Sequence, residues 1–273
     1  MGRPTGEVAG EPKIDTSVAH EARVYDFLLG GETNFEADRV AAERAGAAVG
    51  GIDVARSSVR SNRAFLRQAA RYLASEAGVR QFLDIGTGIP SVGNVHTVVQ
   101  EVAPEARVVY VDNDPIVLAH AHLLLSDTEA GVTSYVQGDL RDPDAIVGEA
   151  AATLDFEAPI AIILNAVLHH IPDEDEPYRH VARLMDAVPS GSYLAISHLT
   201  DDMQSEEMAA LARSVPAQAR YRFRSRTHAE LSRFFEGLEM VEPGLVRIDE
   251  WRPGDPDGPV EGRYHYGGIG RKP

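Results

Sequence analysis

The sequence predicts an α/β fold, a mostly parallel sheet covered by helices on both faces and preceded by a helical extension. Three observations carry that reading. Short runs rich in β-branched residues recur at Gln81–Ile85, Arg107–Asp112, Thr133–Gln137, Ile160–Asn165 and Tyr193–His198, and segments with polar helical faces separate them, the pattern of βαβ units. The run Ile160-Ala161-Ile162-Ile163-Leu164 is apolar throughout, as a strand buried on both faces must be. Before Gln81 the periodicity is helical only.

Taken in order, Met1 to Pro12 is rich in Gly, Pro and Glu without an apolar run, so residues 1–15 read as a disordered tail. Ser17–Leu29 sets Val18, Ala22, Tyr25 and Leu29 on one helical face and ends at Gly30-Gly31, a helix with its stop. A second helix runs from Glu36 to near Ala48. Gly50-Gly51 breaks it, and Asp53 is the expected N-cap of a longer helix through Val59, Phe65, Leu66, Ala69 and Leu73, closed by Gly78. Residues 16–77 thus form a helical extension, and residues 78–273 the main domain. Late in the chain, Thr227-x-x-Glu230 has the spacing of a capping box ahead of Leu231, Phe234 and Phe235. Two last strands are expected at Leu245–Ile248 and Arg263–Ile269, with a Pro/Gly-rich loop from Arg252 to Pro259 between them.

Composition narrows the function classes. Of the 273 residues 44% are hydrophobic and 25% charged, the balance of a globular chain. Lys plus Arg number 26 and Asp plus Glu 42, a formal charge of −16, which repels phosphate backbones. Nucleic acid is therefore not the expected partner, and a small-molecule substrate is. The absence of cysteine excludes disulfides, thiolate metal sites and a thiol nucleophile. No signal-peptide pattern or run of transmembrane length is present, so a cytoplasmic protein without membrane contact is expected. The oligomeric state is not legible, and a homodimer stays open.

The sharpest motif is Phe82-Leu83-Asp84-Ile85-Gly86-Thr87-Gly88, a strand that runs straight into a Gly-x-Gly turn. Glycines there allow a tight turn and the close approach of a ligand to bare backbone. A dinucleotide fingerprint needs a third small residue for packing and a helix start aimed at a pyrophosphate. Its third glycine is replaced by Ser91. S-adenosylmethionine (SAM) has no pyrophosphate, and the Asp-x-Gly-x-Gly form suits it better. Next, Asp112 of Val108–Asp112 stands at the tip of the second strand, followed by Asn113. A carboxylate there can accept hydrogen bonds from both hydroxyls of a ribose. Asp114-Pro115 reads as a helix start.

The Gly138-Asp139-Leu140 triplet follows the third strand, where the carboxylate can accept from an adenine amino group while Leu140 packs on the ring. The fourth strand ends in Asn165-Ala166-Val167-Leu168-His169-His170, and strand carboxyl ends line the ligand crevice of such sheets. Asn165, Ala166 and Val167 are thus expected at the reactive end of the cofactor. His169 and His170 are the candidates for a general base. They lack the spacing of metal ligands, so no metal is expected. Arg220, Arg222, Arg224 and Arg226 alternate, first read as a solvated edge that blocks strand pairing, with an anion contact as the alternative. In the extension, Arg63 or Arg23 is placed to reach a carboxylate of the ligand in a bidentate pair, and Tyr25 lies on the same helix as Arg23. A segment ending in the Gly30-Gly31 joint reads as a lid over the strand tips, with a scaffold as the alternative.

With these residues assembled, the chain resembles the class I SAM-dependent methyltransferases. More narrowly, it resembles a family of actinobacterial proteins of unknown function described as S-adenosyl methyltransferases, over about Ala22 to Lys272. The resemblance rests on Ala22–Gly31, Asn34-Phe35, Asp38-Arg39, Asn62–Leu66, Phe82–Gly88, Val111–Pro115, Leu168–Pro172, Pro243-Gly244-Leu245 and Trp251-Arg252-Pro253. It implies SAM as cofactor, S-adenosylhomocysteine as product, and a Rossmann-like seven-stranded sheet whose last strand is antiparallel. It implies no particular acceptor. The wider class often begins its fourth strand with Asp, whereas here Ile160 follows Pro159, so no catalytic role is expected there. A SAM-binding regulatory module without turnover and a nicotinamide-dependent oxidoreductase are the rival readings.

Overall fold

The computed structural model describes residues 15–90, 93–117, 119–120, 132–200, 202, 224–252 and 264–273. Three helices come first, α1 (Glu21–Leu29), α2 (Glu36–Ala48) and α3 (Ile52–Ser75). The main domain follows with β1 (Gln81–Ile85), α4 (Val95–Val102), β2 (Arg107–Asp112), β3 (Val132–Gln137), α5 (Pro143–Ala150), β4 (Ala161–Asn165), α6 (Pro177–Asp186) and β5 (Tyr193–Leu199). It ends with α7 (His228–Ser232), β6 (Glu239–Met240), β7 (Val246–Arg247) and β8 (His265–Arg271).

The sheet order is β3-β2-β1-β4-β5-β8-β6, with β7 also paired to β8. β1 to β5 are parallel, and β8 runs antiparallel to β5, β6 and β7. The Rossmann-like class and the antiparallel last strand agree with the sequence reading. The strand number does not: the described residues form eight strands rather than seven. The additional strand is β6, of two residues, while β7 falls inside the expected Leu245–Ile248. A piece that short carries no period-2 signal.

One face of the sheet buries Phe82, Val108 and Ile163 against Phe65, Leu73 and Val99, with Trp251 packed edge-on to Phe65. The other buries Leu83, Val109 and Ile162 against Ile146, Leu184 and Phe234. This is the alternation of a strand covered on both sides. A third, smaller core of Val24, Leu28, Ala42, Ala55 and Val59 joins α1, α2 and α3.

Two boundaries in the extension differ from the sequence reading. α1 begins at Glu21 instead of Ser17, because the Asp15 carboxylate accepts from both the Ser17 backbone N–H and its hydroxyl, a local turn that competes with helix. The N-cap of α3 is Gly51 at φ 130°, not Asp53, which falls in the first turn. That φ belongs to glycine. The capping box at Thr227 and Glu230 is present with both of its bonds. Of the expected tail only Asp15 is described; Ser91, Arg220 and Arg222 and the loop 253–259 lie outside the described residues.

Candidate active site

The carboxyl ends of β1, β2, β3 and β4 meet the start of α1 around one cavity, about 970 Å³ with its open mouth included. At β1 the chain turns back on itself through Gly86 and Gly88, both at positive φ (75° and 67°). The Gly86 and Thr87 N–H groups donate to Val111 O (2.8 and 3.3 Å), which straps the turn to β2. A Cβ on Gly86 would lie 2.3 Å from Val167 Cγ2, whereas one on Gly88 would meet nothing within 4 Å. The first glycine therefore brings β1 and β4 together, and the second offers bare backbone to the cavity.

Asp112 closes β2. Its Oδ2 accepts from Gly88 N–H (2.8 Å) and its Oδ1 from Asp114 N–H (3.0 Å). Each oxygen keeps a second lone pair, and burial raises the carboxyl above its ordinary range. Asp114 caps the helical turn that starts at Pro115, accepting from Ile116 N–H (2.9 Å), as read from the sequence. At β3, Asp139 and Leu140 line the cavity beside Asn113. At β4, Asn165, Ala166 and Val167 form the wall. Ala166 has φ 57°, strained for a residue with a Cβ. Its N–H points to Ser197, 3.1 Å from the carbonyl and 3.0 Å from the hydroxyl. Under the turn, Asp84 is pushed up to about 7 by burial, with the Arg63 guanidinium and a Thr87 hydrogen bond opposing. Arg63 lines the same cavity and donates to Asn94 Oδ1 (2.9 Å).

The roof comes from α1, whose His20, Glu21, Ala22 and Tyr25 face the cavity. Tyr25 donates to Val59 O (3.1 Å) and accepts from Asn62 Nδ2 (2.9 Å). Ser197 Oγ in turn donates to Asn62 Oδ1 (2.5 Å) and lies 2.8 Å from the Asn165 amide. One polar chain thus runs from α1 through α3 to the ends of β4 and β5. Arg23 is the candidate that the fold removes from the cavity. It sits on the other flank of α1, donating to Val18 O (2.9 Å), with Nε 3.6 Å from Asp38 and 3.9 Å from Asp114. Neighbouring helix positions diverge by about 100°, so Ala22 and Tyr25 share a face that Arg23 cannot.

A family model described as S-adenosyl methyltransferase matches residues 7–273. A DUF574 family protein from Streptomyces avermitilis MA-4680 is 43% identical, covering 96% of this chain and 100% of its own, with a TM-score of 0.86. A structure from Thermobifida fusca YX is 40% identical over 97% and 99% of the two chains, with a TM-score of 0.85. The chain belongs to the S-adenosyl methyltransferase family. It is a SAM-dependent enzyme, and SAM is its cofactor. The magnesium protoporphyrin IX methyltransferase of Synechocystis PCC 6803, solved with S-adenosylhomocysteine, has 13% identity over 81% and 87% of the chains and a TM-score of 0.54, a likeness of fold. No curated protein matches.

The two candidate bases of the methyltransferase are separated by the fold. His170 lines the cavity, with Nδ1 3.7 Å from Glu21 Oε1. His169 does not. It is buried against His170 (ring centroids 4.4 Å) and His198 (5.5 Å), and burial holds it well below the ordinary imidazole range. Behind them Arg226 is fully buried, donating to Leu168 O, Ile171 O, Asp173 Oδ1 and His198 Nε2. Arg224 donates to Asp173 and Glu230. These arginines pin the segment after β4 rather than fringe a solvated edge. Alternation was the visible signal, and burial decided its meaning.

The sequence reading also missed His20, Glu21 and Arg141 at the cavity. The first two lie just before and at the start of a helix read for its apolar face. Arg141 directly follows the Asp139-Leu140 pair and bonds both Asp139 and Asp175. Among the described residues, no group of three or more His, Asp or Glu could hold a metal ion, and no helix is long and apolar enough to cross a membrane.

Proposed function

We propose that the enzyme binds SAM along the strand ends and transfers its methyl group directly and in line to a small-molecule acceptor. The observation that carries this is the cavity itself, where the four strand-end motifs converge and Gly88 presents open backbone. The donor set fits the group. Asp112 has lone pairs left for a ribose, Asp139 and Leu140 suit an adenine edge and face, and Arg63 suits a carboxylate. Asp84 stands in the same wall and suits an ammonium. Asn165, Ala166 and Val167 border the reactive end. When bound, SAM supplies a methyl carbon on positive sulfur, an electrophile that needs no activation.

The chain's own task is to align and desolvate the nucleophile. His170 is the base; burial with the neighbouring His20 holds it down to about 4 against the pull of Glu21, so it is neutral at pH 7 and takes a proton only as methyl transfer makes the acceptor acidic. Residues 16–77 contribute the roof, and α1 closes as a lid once the cofactor is in place. Calorimetry with SAM, S-adenosylhomocysteine and NAD tests the cofactor site. The first two should bind and NAD should not; the reverse order would refute the reading. Hydrogen exchange tests the lid. Protection should rise over residues 23–35 with SAM, and an indifferent α1 beside a responsive Gly86–Gly88 turn would make it a scaffold. Release of S-adenosylhomocysteine in the presence of a metabolite pool reports turnover and leads to the acceptor.

A further inference from the structure

SAM and its product differ by a methyl group and one charge. The sulfur of SAM is a permanent cation. When the methyl carbon leaves, the bonding pair stays on sulfur and a neutral thioether remains. The rest of the two molecules is the same, so Arg63, Asp84, Asp112 and Asp139 would hold both alike. A site that tells cofactor from product needs a further charge facing the sulfur, because specificity is a difference of affinities.

Glu21 is so placed. It opens α1, where a carboxylate favours the helix dipole, yet it lines the cavity. Its Oε2 lies 3.5 Å from His20 Nε2 and its Oε1 lies 3.7 Å from His170 Nδ1. His20 stands on the β2 side, with Nδ1 3.0 Å from Asp114 Oδ2, and His170 follows β4. β1 lies between β2 and β4 in the sheet. A carboxylate that reaches both sides therefore spans the tip of β1, beside the wall of Asn165, Ala166 and Val167.

The charge of Glu21 is not used up there. Among the described residues no arginine or lysine pairs with it. Burial keeps His170 neutral at pH 7. His20 carries at most one positive charge and shares it with Asp114. In the group joined by these contacts, the carboxylates of Glu21, Asp38 and Asp114 outnumber the Arg23 guanidinium and the His20 imidazole. Net negative charge stays at the roof whichever form His20 takes.

We propose that Glu21 is a specificity-determining residue, which selects SAM over S-adenosylhomocysteine by setting this uncompensated charge over the sulfonium. The inference rests on SAM lying along the strand ends. The attraction vanishes as the methyl group is transferred, so the product leaves more readily than the cofactor and the site refills. The Glu21 side chain is 45% exposed, so the effect has the size of a partly screened ion pair and falls as salt is added.

Calorimetry on the full chain with SAM, S-adenosylhomocysteine and sinefungin is the test. In sinefungin a protonated amine takes the place of the methylsulfonium. In Glu21→Gln the preference for SAM over S-adenosylhomocysteine should fall by about threefold or more, with sinefungin weakened as SAM is. Glu21→Asp keeps the charge and should recover part of the preference. A role confined to the helix start or to the lid would move all three ligands together. An unmoved preference in Glu21→Gln overturns the assignment, as does a Glu21→Asp no better than Glu21→Gln. The Gly86 and Gly88 amide shifts of the parent with S-adenosylhomocysteine judge the cofactor site separately. Silent amides refute that site and the inference with it, whereas responsive amides with an unmoved preference refute Glu21 alone.

Discussion

The floor of the cavity is held by main chain and its roof by side chains. On the floor, backbone N–H groups of the Gly86–Gly88 turn bond to the Val111 carbonyl and the Asp112 carboxylate. In the roof, α1 hangs from Tyr25, Asn62 and Ser197 and from the contacts of His20 with Asp114 and of Arg23 with Asp38. The two constructions should fail differently. A floor made of backbone tolerates changed side chains around it but not an added Cβ. A roof made of side-chain bonds loosens by steps. Local opening free energies follow the same division, lowest where few backbone bonds hold an element in place.

The largest effect should come from Gly86→Val. Its φ of 75° is costly for a β-branched residue, and its Cβ would stand 2.3 Å from Val167 Cγ2. The expected loss of stability is on the order of 3–5 kcal/mol, with SAM binding lost. Gly88→Ala shares the strained φ but has open space, so it should fold better and lose binding by filling the cavity. Thermal melts and calorimetry on both variants would distinguish contact from strain. Equal stability of the two would mean that the β1–β4 approach is softer than argued.

Asp112→Ala comes next, because Asp112 belongs to the floor through a side chain. Removing it deletes the bonds to Gly88 and Asp114 together with any to a ribose. Weaker SAM binding by about 1–3 kcal/mol is expected. Calorimetry that finds unchanged affinity would take the ribose away from Asp112.

The same division explains what the sequence could disclose. Strand-end motifs read well because each places a backbone need or a carboxylate at a fixed offset from a strand, as at Gly86, Asp112 and Asp139. Tyr25, Asn62 and Ser197 belong to three distant segments, and nothing in spacing announces that they meet. The sequence draws Arg23 and Tyr25 alike to the cavity, and only the rotation of α1 separates them. Arg226 looked like a solvated charge because its partners, Leu168, Ile171 and Asp173, lie more than fifty residues away. β6 was beyond reach because two residues show no period, whereas β7 lies inside the expected Leu245–Ile248.

A smaller effect should appear in pH dependence. Burial raises Asp84 to about 7, above the value of an unfolded chain. The folded protein therefore keeps a proton that the unfolded one releases, and this contribution to stability declines as pH rises from about 4 through 7. Binding should run the other way, since the ammonium of SAM favours the ionised form. Affinity should rise about tenfold from pH 6 to 8 as Asp84 ionises, and level off above. Asp84→Asn removes both trends, so the difference between parent and variant isolates the group from the buried histidines. A parallel slope in the variant would assign the dependence elsewhere.

The smallest effect concerns the seam between floor and roof. Tyr25→Phe keeps the ring among the roof residues and deletes only the hydroxyl, which donates to Val59 O and accepts from Asn62 Nδ2. Val59 O lies within α3 and has its helical partner, so the chief loss is on Asn62, left with an amide donor beside an apolar edge. A net cost of about 1 kcal/mol is expected, seen as a modest drop in melting temperature. Its distribution matters more than its size. Because Ser197 Oγ still donates to Asn62 and the Asn165 amide stays beside it, the β4 and β5 ends should keep their amide protection. Exchange should quicken over residues 21–29 alone, and SAM should suppress part of the gain if α1 closes over it. Faster exchange spread equally through β4 and β5 would show that roof and floor are one cooperative unit, and the distinction between them would fall.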